Sequence, residues 1–316
     1  MTAISSQTVP LERQWRAPFA VDVLGVLAVH RRGRGDPAFA VDDAGGIWRV
    51  SRTPDGPGTL CVAWRVVRDP GSVTLVDAAA WGPGAGWLLD LLPSLLGADD
   101  RPEEFAPEHP VLREAVRRYP AVRIGRSGLV FEALVPAVLE QKVVGAEAKR
   151  AWRILLRRFG EPAPGPAPAG LRVPLSPAAW ASVPSWEWHK AGVEAVRART
   201  IVTAARVAGR MEEAAGMAPD DADRRLRTLP GIGPWTSAEI RQRACGDPDA
   251  VSVGDYHLPA IVGWALAGHE VDDAGMLELL APYRGHRHRA AMMASLSGTR
   301  PPRRAPRMSI RDYRAF

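Results

Sequence analysis

Short runs of β-forming residues, separated by turn residues, dominate the first hundred positions of the chain. The strand-like runs lie at 38–41, 47–51, 59–67 and 72–77, with Gly, Pro and Asp between them. The apolar stretch at 84–96 then has the spacing of a helix. This pattern predicts an α+β domain in which helices cover one face of an antiparallel sheet.

The hydrophobic spacing then becomes helical. Residues 111–118 are amphipathic, and 129–159 hold a long periodic segment that we expect to break near Gly145. Ser176 followed by Pro177 predicts a helix start with the serine as its cap. Further helices are predicted at 189–195, 197–215, 220–228, 234–244, 255–266, 273–280 and 285–297.

These patterns divide the chain into three parts. We expect an α+β domain at 1–105, a helical domain at 106–299 and a basic tail at 300–316. The tail carries six arginines against one aspartate, together with three prolines, and is expected to be mobile. A solvated terminus is favoured over a segment that touches nucleic acid.

Composition narrows the possible functions only a little. No run approaches 18 apolar residues, which argues against a membrane span, and the N-terminus lacks the pattern of a secretion signal. The two cysteines cannot build a four-cysteine metal site, and we expect both to be reduced. The net charge of +6 favours polyanionic partners, but only weakly, because an arginine-rich composition also accompanies GC-rich coding.

The most informative segment is a glycine-rich turn between two predicted helices, Leu229-Pro-Gly-Ile-Gly-Pro-Trp235. Pro230 ends the first helix, and Gly231 and Gly233 allow a tight turn with close backbone approach. The second helix begins at Pro234, so its free N–H groups form a ready anion site. An ordinary connection between helices would satisfy the same local pattern.

A second segment follows about twenty residues later. A short extended apolar run, 251–253, ends in Gly254-Asp255, and a helix is predicted to start there. Asp255 is a favoured helix cap, and a carboxylate fixed at a helix start can also face a cleft.

Together, LPGIGPWTSAEI and VGDYHL resemble the helix-hairpin-helix DNA glycosylase superfamily. The segment FEALVPAVLEQKVV at 131–144 resembles the helix that carries the DNA-intercalating loop of these enzymes. The strand-rich N-terminal part resembles the extra, TBP-like domain of bacterial 3-methyladenine DNA glycosylase II of the AlkA type. The resemblance implies a two-lobed helical core after the sheet domain.

The resemblance also implies a chemistry. Superfamily members that nick DNA carry a lysine where this chain has Trp235, and an indole cannot form a Schiff base. A monofunctional enzyme that hydrolyses the N-glycosidic bond is therefore implied, with Asp255 stabilising the sugar cation or activating water. Trp235 is implied to wall the base pocket, although a core role would suit a tryptophan equally well.

The intercalating loop departs from the family pattern. Lys142 stands where an apolar wedge is usual, and it could insert its aliphatic stem or act as an amine on the sugar. Gln141 is expected to face the orphaned base. Lys142 could instead be a surface lysine at a helix end, and Gln141 a polar residue of the helix.

The remaining site residues are expected from the same resemblance. The candidates for the base pocket besides Trp235 are Tyr256, Phe19 and Trp264, with Trp186 and Trp188 as further aromatic candidates. The candidates for phosphate binding are Gly231, Ile232, Gly233, Thr236 and Arg287. No metal is proposed, because His286 and His288 lack an evident third ligand, and no cofactor is expected.

The favoured hypothesis is a bacterial, cytoplasmic, nucleoid-associated monomer that acts on double-stranded DNA containing alkylated purines, with no membrane partner. A second hypothesis is a glycosylase for oxidised or deaminated bases with lyase activity through Lys142. A third is a non-catalytic protein that binds damaged DNA, and a fourth is a helical protein that uses the hairpin for partner contacts.

Overall fold

A computed structural model describes residues 9–68 and 72–299. The basic tail, 300–316, lies outside the described residues. Within them, the N-terminal sheet has five antiparallel strands in the order β1-β5-β4-β3-β2. Strands β1 to β5 span Leu11–Ala17, Phe39–Val41, Ile47–Thr53, Gly56–Arg68 and Ser72–Trp81.

Two helices accompany this sheet, α1 (Val23–Ala28) and α2 (Ala85–Leu95). Leu88, Leu92 and Leu95 recur at helical spacing along α2 and are fully buried. They pack on the inward residues of the sheet, such as Leu60 and Val76, in one hydrophobic core. The predicted α+β class, with an antiparallel sheet covered by helices, is confirmed.

The rest of the described chain is helical and contains two further cores. Helices α3 to α8 span Pro110–Arg118, Val130–Leu139, Gly145–Phe159, Pro177–Ala181, Ser185–Ala191 and Ala195–Arg206. Helices α9 to α14 span Ala208–Glu212, Pro219–Arg227, Pro234–Ile240, Leu258–Leu266, Asp273–Leu280 and Arg287–Leu296. One core is formed by α4, α5 and the four helices from α8 through α11. The other core is formed by α3, α12, α13 and α14. The two cores form the expected two-lobed arrangement.

Several predicted boundaries were wrong. The strand β1 was missed, because charged residues on this edge strand obscure the alternation of apolar and polar positions. The helix predicted at 189–195 instead begins at Ser185 and ends at Ala191, followed by the cap residue Gly192, which is left-handed (φ 79°). The segment predicted at 197–215 divides near Val207.

Other starts and ends were predicted correctly. Ser176 caps α6 by accepting from the backbone N–H of Ala179, with Pro177 at the first helical position. Asp273–Leu280 has the predicted bounds, and Asp272 caps it. No described helix combines the length and the apolar character needed to cross a bilayer. The division of the chain at residue 105 stays a prediction.

The sheet domain contacts the helical part through a partly buried carboxylate on α4. Glu132 Oε1 accepts from Arg49 Nη2 at 2.9 Å and from Ser51 Oγ at 3.1 Å, and Oε2 accepts from the N–H of Arg52 at 3.2 Å. The Arg49 and Glu132 side chains are only 5% and 17% exposed. Because these groups have little access to water, each depends on its partner.

We predict that Glu132→Gln lowers the free energy of unfolding by about 3 kcal/mol, because it leaves the Arg49 charge buried without its counter-ion. Glu114→Gln is the matched control, since Glu114 pairs with Arg117 on the surface of α3. The control should change stability by less than about 1 kcal/mol. Chemical denaturation measures both, and equal effects would contradict the assigned role of Glu132.

Candidate active site and DNA-binding hairpin

The glycine-rich turn connects α10 to α11 as predicted. Ile232 is buried in the hydrophobic core below the turn, and its N–H donates to the carbonyl of Leu229 at 3.1 Å. Gly233 has an extended backbone, and α11 begins at Pro234 with no side chain capping its first turn. The first amides of α11 are therefore left without a side-chain acceptor.

The two glycines of the turn have different reasons to be glycine. Gly231 has φ +90°, and a Cβ at this position would lie 2.3 Å from Thr200 Oγ1 on α8. Gly233 has no described atom within 4 Å of the position that its Cβ would occupy. Gly231 is thus required for the fold of the turn, whereas Gly233 leaves one side of the backbone open to approach.

Asp255 is bound by groups from two helices. Its Oδ1 accepts from the backbone N–H groups of His257 and Leu258, at 2.8 and 2.9 Å, immediately before α12. Its Oδ2 accepts from Trp235 Nε1 at 3.2 Å. All three contacts are N–H donors, which match the acceptor-only character of an ionised carboxylate. The predicted helix at 255–266 starts only at Leu258, so Asp255 lies in the turn before it.

The segment leading to Asp255 is fixed by residues that the sequence analysis missed. Glu239 lies one turn after Trp235 and accepts from Ser252 Oγ at 2.6 Å. Gln242 Nε2 donates to the carbonyl of Ala250 at 2.8 Å and to Ser252 Oγ at 3.0 Å. The spacing from Trp235 to Glu239 was the available signal, because residues four apart share one face of a helix.

The charge of Glu239 is balanced locally. Burial by itself raises the pKa of this carboxyl, but the charge of Arg243 and the Ser252 hydroxyl outweigh it, so the pKa is lowered. Burial also lowers the pKa of the neighbouring His288 to about 4, although Glu239 opposes the shift. The histidine is therefore neutral at neutral pH, beside an ionised glutamate.

The predicted intercalating loop lies directly beside the hairpin. Gln141 Nε2 donates to the carbonyl of Gly231 at 2.8 Å and to Thr236 Oγ1 at 2.9 Å. The next residue, Lys142, is exposed and has φ 53°, the only left-handed residue other than glycine among the described residues. The expected break near Gly145 is thus a loop of several residues, with Lys142 at its tip.

Two of the predicted phosphate-binding side chains already have partners. Thr236 is 2% exposed, and its hydroxyl is the acceptor for Gln141. Arg287 Nε donates to Asp249 Oδ1 at 2.9 Å, and Nη2 donates to Asp249 Oδ2 at 2.5 Å. Of these two residues, Thr236 can still offer its backbone amide at the start of α11.

The aromatic candidates for the base pocket are dispersed. Tyr256 follows Asp255 directly and is 79% exposed, with its ring edge-on to His257. Trp264 is half-buried on α12, and its Nε1 is buried without a hydrogen-bond partner. Phe19 packs against the core of the sheet domain, and the guanidinium of Arg123 covers its ring at 3.4 Å.

The two tryptophans of α7 differ from one another. Trp188 is 3% exposed and stacks on Trp180 in the core, so it is a structural residue. Trp186 is 61% exposed.

Both cysteines are free, and burial raises the pKa of each thiol to about 11. Within the described ranges, no group of three or more His, Cys, Asp or Glu side chains is arranged to hold a metal ion.

The structure is similar to several solved DNA glycosylases. A 3-methyladenine DNA glycosylase from Archaeoglobus fulgidus superposes with a TM-score of 0.69 and 18% identity, over 90% of this chain and 97% of that one. The chain has the helix-hairpin-helix DNA glycosylase fold. An 8-oxoguanine glycosylase/lyase from Clostridium acetobutylicum, in complex with double-stranded DNA containing cytosine opposite 8-oxoguanine, gives 0.65 and 11%, over 92% and 96%.

A third similar structure is MBOgg1 in complex with a low-affinity DNA ligand, with a TM-score of 0.67 and 16% identity over 92% of this chain and 98% of that one. No protein-family model matches the sequence, and no curated protein matches it significantly.

We predict that Gly231→Ala lowers the free energy of unfolding by about 2 kcal/mol or more, because it combines a left-handed backbone with a clash against Thr200. Gly233→Ala provides the matched control in the same turn and should change stability by less than about 1 kcal/mol, since its Cβ meets nothing. Thermal or chemical unfolding distinguishes the two variants. A control as unstable as Gly231→Ala would contradict the described hairpin geometry.

Proposed function

We propose that this protein is a monofunctional DNA N-glycosylase that flips alkylated purines out of double-stranded DNA and excises them, leaving an abasic site. The observation that carries the proposal is the hydrogen bond between Trp235 Nε1 and Asp255 Oδ2. It holds a carboxylate against the first turn of the helix that follows the glycine-rich hairpin. The fold shared with glycosylases of more than one base specificity supports the general activity.

The chemistry needs few catalytic groups. Alkylation at N3 or N7 places a positive charge on a purine, so the base leaves without a strong general acid. As the N-glycosidic bond breaks, its electron pair goes to the base and the sugar becomes an oxocarbenium-like cation. Asp255 stabilises that cation, and water then adds to the sugar and passes its proton to the carboxylate. Because positive charge develops on the sugar only as the N-glycosidic bond breaks, a carboxylate beside the sugar accelerates the reaction rather than merely binding the substrate.

Hydrolysis is favoured over strand cleavage by the residue at the start of α11. Trp235 has no amine, and its indole N–H is already donated to Asp255. A Schiff base at this position is therefore impossible.

DNA binding is assigned to the hairpin and the loop beside it. The free amides of Gly233, Trp235 and Thr236 offer donors to one phosphate group, and the open side of Gly233 lets the phosphate approach the backbone. Ile232 serves this contact by anchoring the turn in the core. Arg287 is expected to contribute less to phosphate binding, because Asp249 neutralises its guanidinium.

The gap left in the stack by the displaced base must be filled, and the base itself must enter a pocket. Lys142, at the exposed tip of its loop, fills the gap with its aliphatic stem. Gln141 keeps its Oε1 available for the orphaned base while its Nε2 holds the hairpin. Trp235, which donates to Asp255, and the exposed Tyr256, which follows Asp255 in the chain, are assigned to the pocket. Phe19 and Trp264 have less support for this role.

A second candidate is a glycosylase for oxidised or deaminated bases with lyase activity. The exposed Lys142 amine favours it, because that amine lies on the loop next to the hairpin and has no acidic partner among the described residues. Asp255 argues against a third candidate, a non-catalytic binder of damaged DNA, because binding to phosphates does not require a carboxylate beside them.

We predict that the wild-type protein releases 3-methyladenine or 7-methylguanine from alkylated duplex DNA, and that Asp255→Asn lowers the single-turnover rate by about 100-fold or more. The variant should bind the same DNA within a few-fold of wild type, because the amide keeps the shape of the side chain. Base release is measured by chromatography, with duplexes containing 8-oxoguanine or uracil as parallel substrates. Release of only the oxidised or deaminated base would favour the second candidate, and full activity of Asp255→Asn would refute the assigned role.

We also predict that borohydride does not trap the wild-type protein on abasic DNA, because only a Schiff base is reduced to a stable covalent adduct. Lys142→Ala is the informative variant. A covalent adduct with wild type that disappears in Lys142→Ala would show that this lysine is a nucleophile rather than a wedge.

A further inference from the structure

A short loop of the sheet domain, residues 31–36 (RRGRGD), brings exposed arginines to the helical part of the protein. We call it the arginine loop. It links α1 to β2, and its two glycines, Gly33 and Gly35, have φ of 79° and 76°. No role in the proposed reaction has been given to it above.

The arginine loop is held in one conformation by buried contacts. Asp36 is 4% exposed and accepts from the N–H of Arg32 at 2.5 Å and from Trp152 Nε1 at 2.8 Å. Arg32 is itself 8% exposed, and its Nη1 lies 4.0 Å from Glu140 Oε1. The loop is therefore an ordered part of the junction between the sheet domain and helices α4 and α5.

Four cationic side chains lie in or beside the arginine loop, two of them exposed and two half-buried. Arg31 and Arg34 point to solvent, and the stems of Lys149 and Arg153 on α5 lie beneath Gly33 and Gly35. None of these four side chains has a carboxylate within 4 Å among the described residues. Arg153 Nη1 instead contacts the carbonyl of Arg34, at 3.4 Å. A cluster of cations without carboxylate partners favours a polyanionic partner.

The position of the arginine loop relative to the proposed wedge is fixed by neighbouring residues. Glu140 faces Arg32 of the arginine loop, whereas Gln141 is bonded to Gly231 of the hairpin. Lys142 follows directly. The segment that carries the proposed wedge thus contacts the arginine loop through Glu140 and the hairpin through Gln141.

We propose that the arginine loop, with Lys149 and Arg153, binds the DNA phosphate backbone on the side of Lys142 opposite to the hairpin. The inference rests on the proposed function, since it takes duplex DNA as the partner, and it adds a second phosphate-binding surface contributed by the sheet domain. Two backbone contacts flanking the wedge would hold the duplex while a base is displaced between them. Phosphate contacts of this kind position a duplex without reading its sequence.

The test is the salt dependence of binding to an undamaged duplex, measured by fluorescence anisotropy with the full chain. Each phosphate contact contributes about 0.9 to the slope of log K against log salt. The double variant Arg31→Ala/Arg34→Ala should therefore reduce the magnitude of the slope by about 2. The matched control Arg16→Ala/Arg157→Ala removes the same charge from β1, at the far edge of the sheet, and from the distant end of α5.

The outcomes separate the two proposals. A slope that falls in Arg31→Ala/Arg34→Ala but not in the control, with circular dichroism and melting temperature unchanged, supports the arginine loop as a DNA contact. Equal slopes in the two double variants, while wild type binds DNA and releases bases, would overturn this inference alone. A wild-type protein that binds no duplex would overturn the proposed function and this inference together.

A scan with uncharged methylphosphonate linkages tests the placement. At some positions a methylphosphonate should weaken DNA binding by wild type but not by Arg31→Ala/Arg34→Ala. These positions mark the phosphates bound by the arginine loop. We expect them to lie on the other side of the lesion from the positions whose neutralisation no longer weakens DNA binding by Gly233→Ala. The same set of positions for both variants would refute a separate surface.

Discussion

The position of one carboxylate depends on two helix starts at once. Asp255 accepts from the backbone amides before α12 and from the indole N–H of Trp235 on α11. If either helix moved, the carboxylate would lose a partner and its orientation toward the hairpin. The proposed chemistry depends on this placement, because a charge stabilises a transition state only where the opposite charge develops.

Helix α11 and the turn that continues it organise most of the site. Its N-terminus is the proposed phosphate contact, Trp235 binds Asp255, and Glu239 and Gln242 fix Ser252 on the segment that leads there. Thr236 on the same helix accepts a hydrogen bond from Gln141 of the neighbouring loop. A single rigid element therefore relates the hairpin, the carboxylate and the proposed wedge.

The local signals were sufficient to predict the hairpin, the cap of α6 and the bounds of α13. Gly, Pro and Ser have strong positional preferences, and these act over a few residues. The contacts that complete the site were not predictable in this way. The Asp255 contact to Trp235 spans twenty residues, and Gln141 reaches ninety residues along the chain to Gly231.

The arginine loop is a second feature that could not be predicted from local sequence signals. Its composition reads as an ordinary charged turn, and only the fold brings Arg32 next to Glu140 and places the exposed arginines beside α5. The missed strand β1 has a similar explanation. Its pairing with β5 is non-local, and its edge position allows charged residues that obscure the alternation.

The central claim is that Trp235 and Asp255 act as one unit in base excision. A double-mutant cycle on the single-turnover excision rate, using Trp235→Phe, Asp255→Asn and the combined variant, tests it most directly. We predict that Trp235→Phe slows excision on its own but adds little to Asp255→Asn, because the indole acts by holding the carboxylate. Fully additive losses in the combined variant would contradict this coupling.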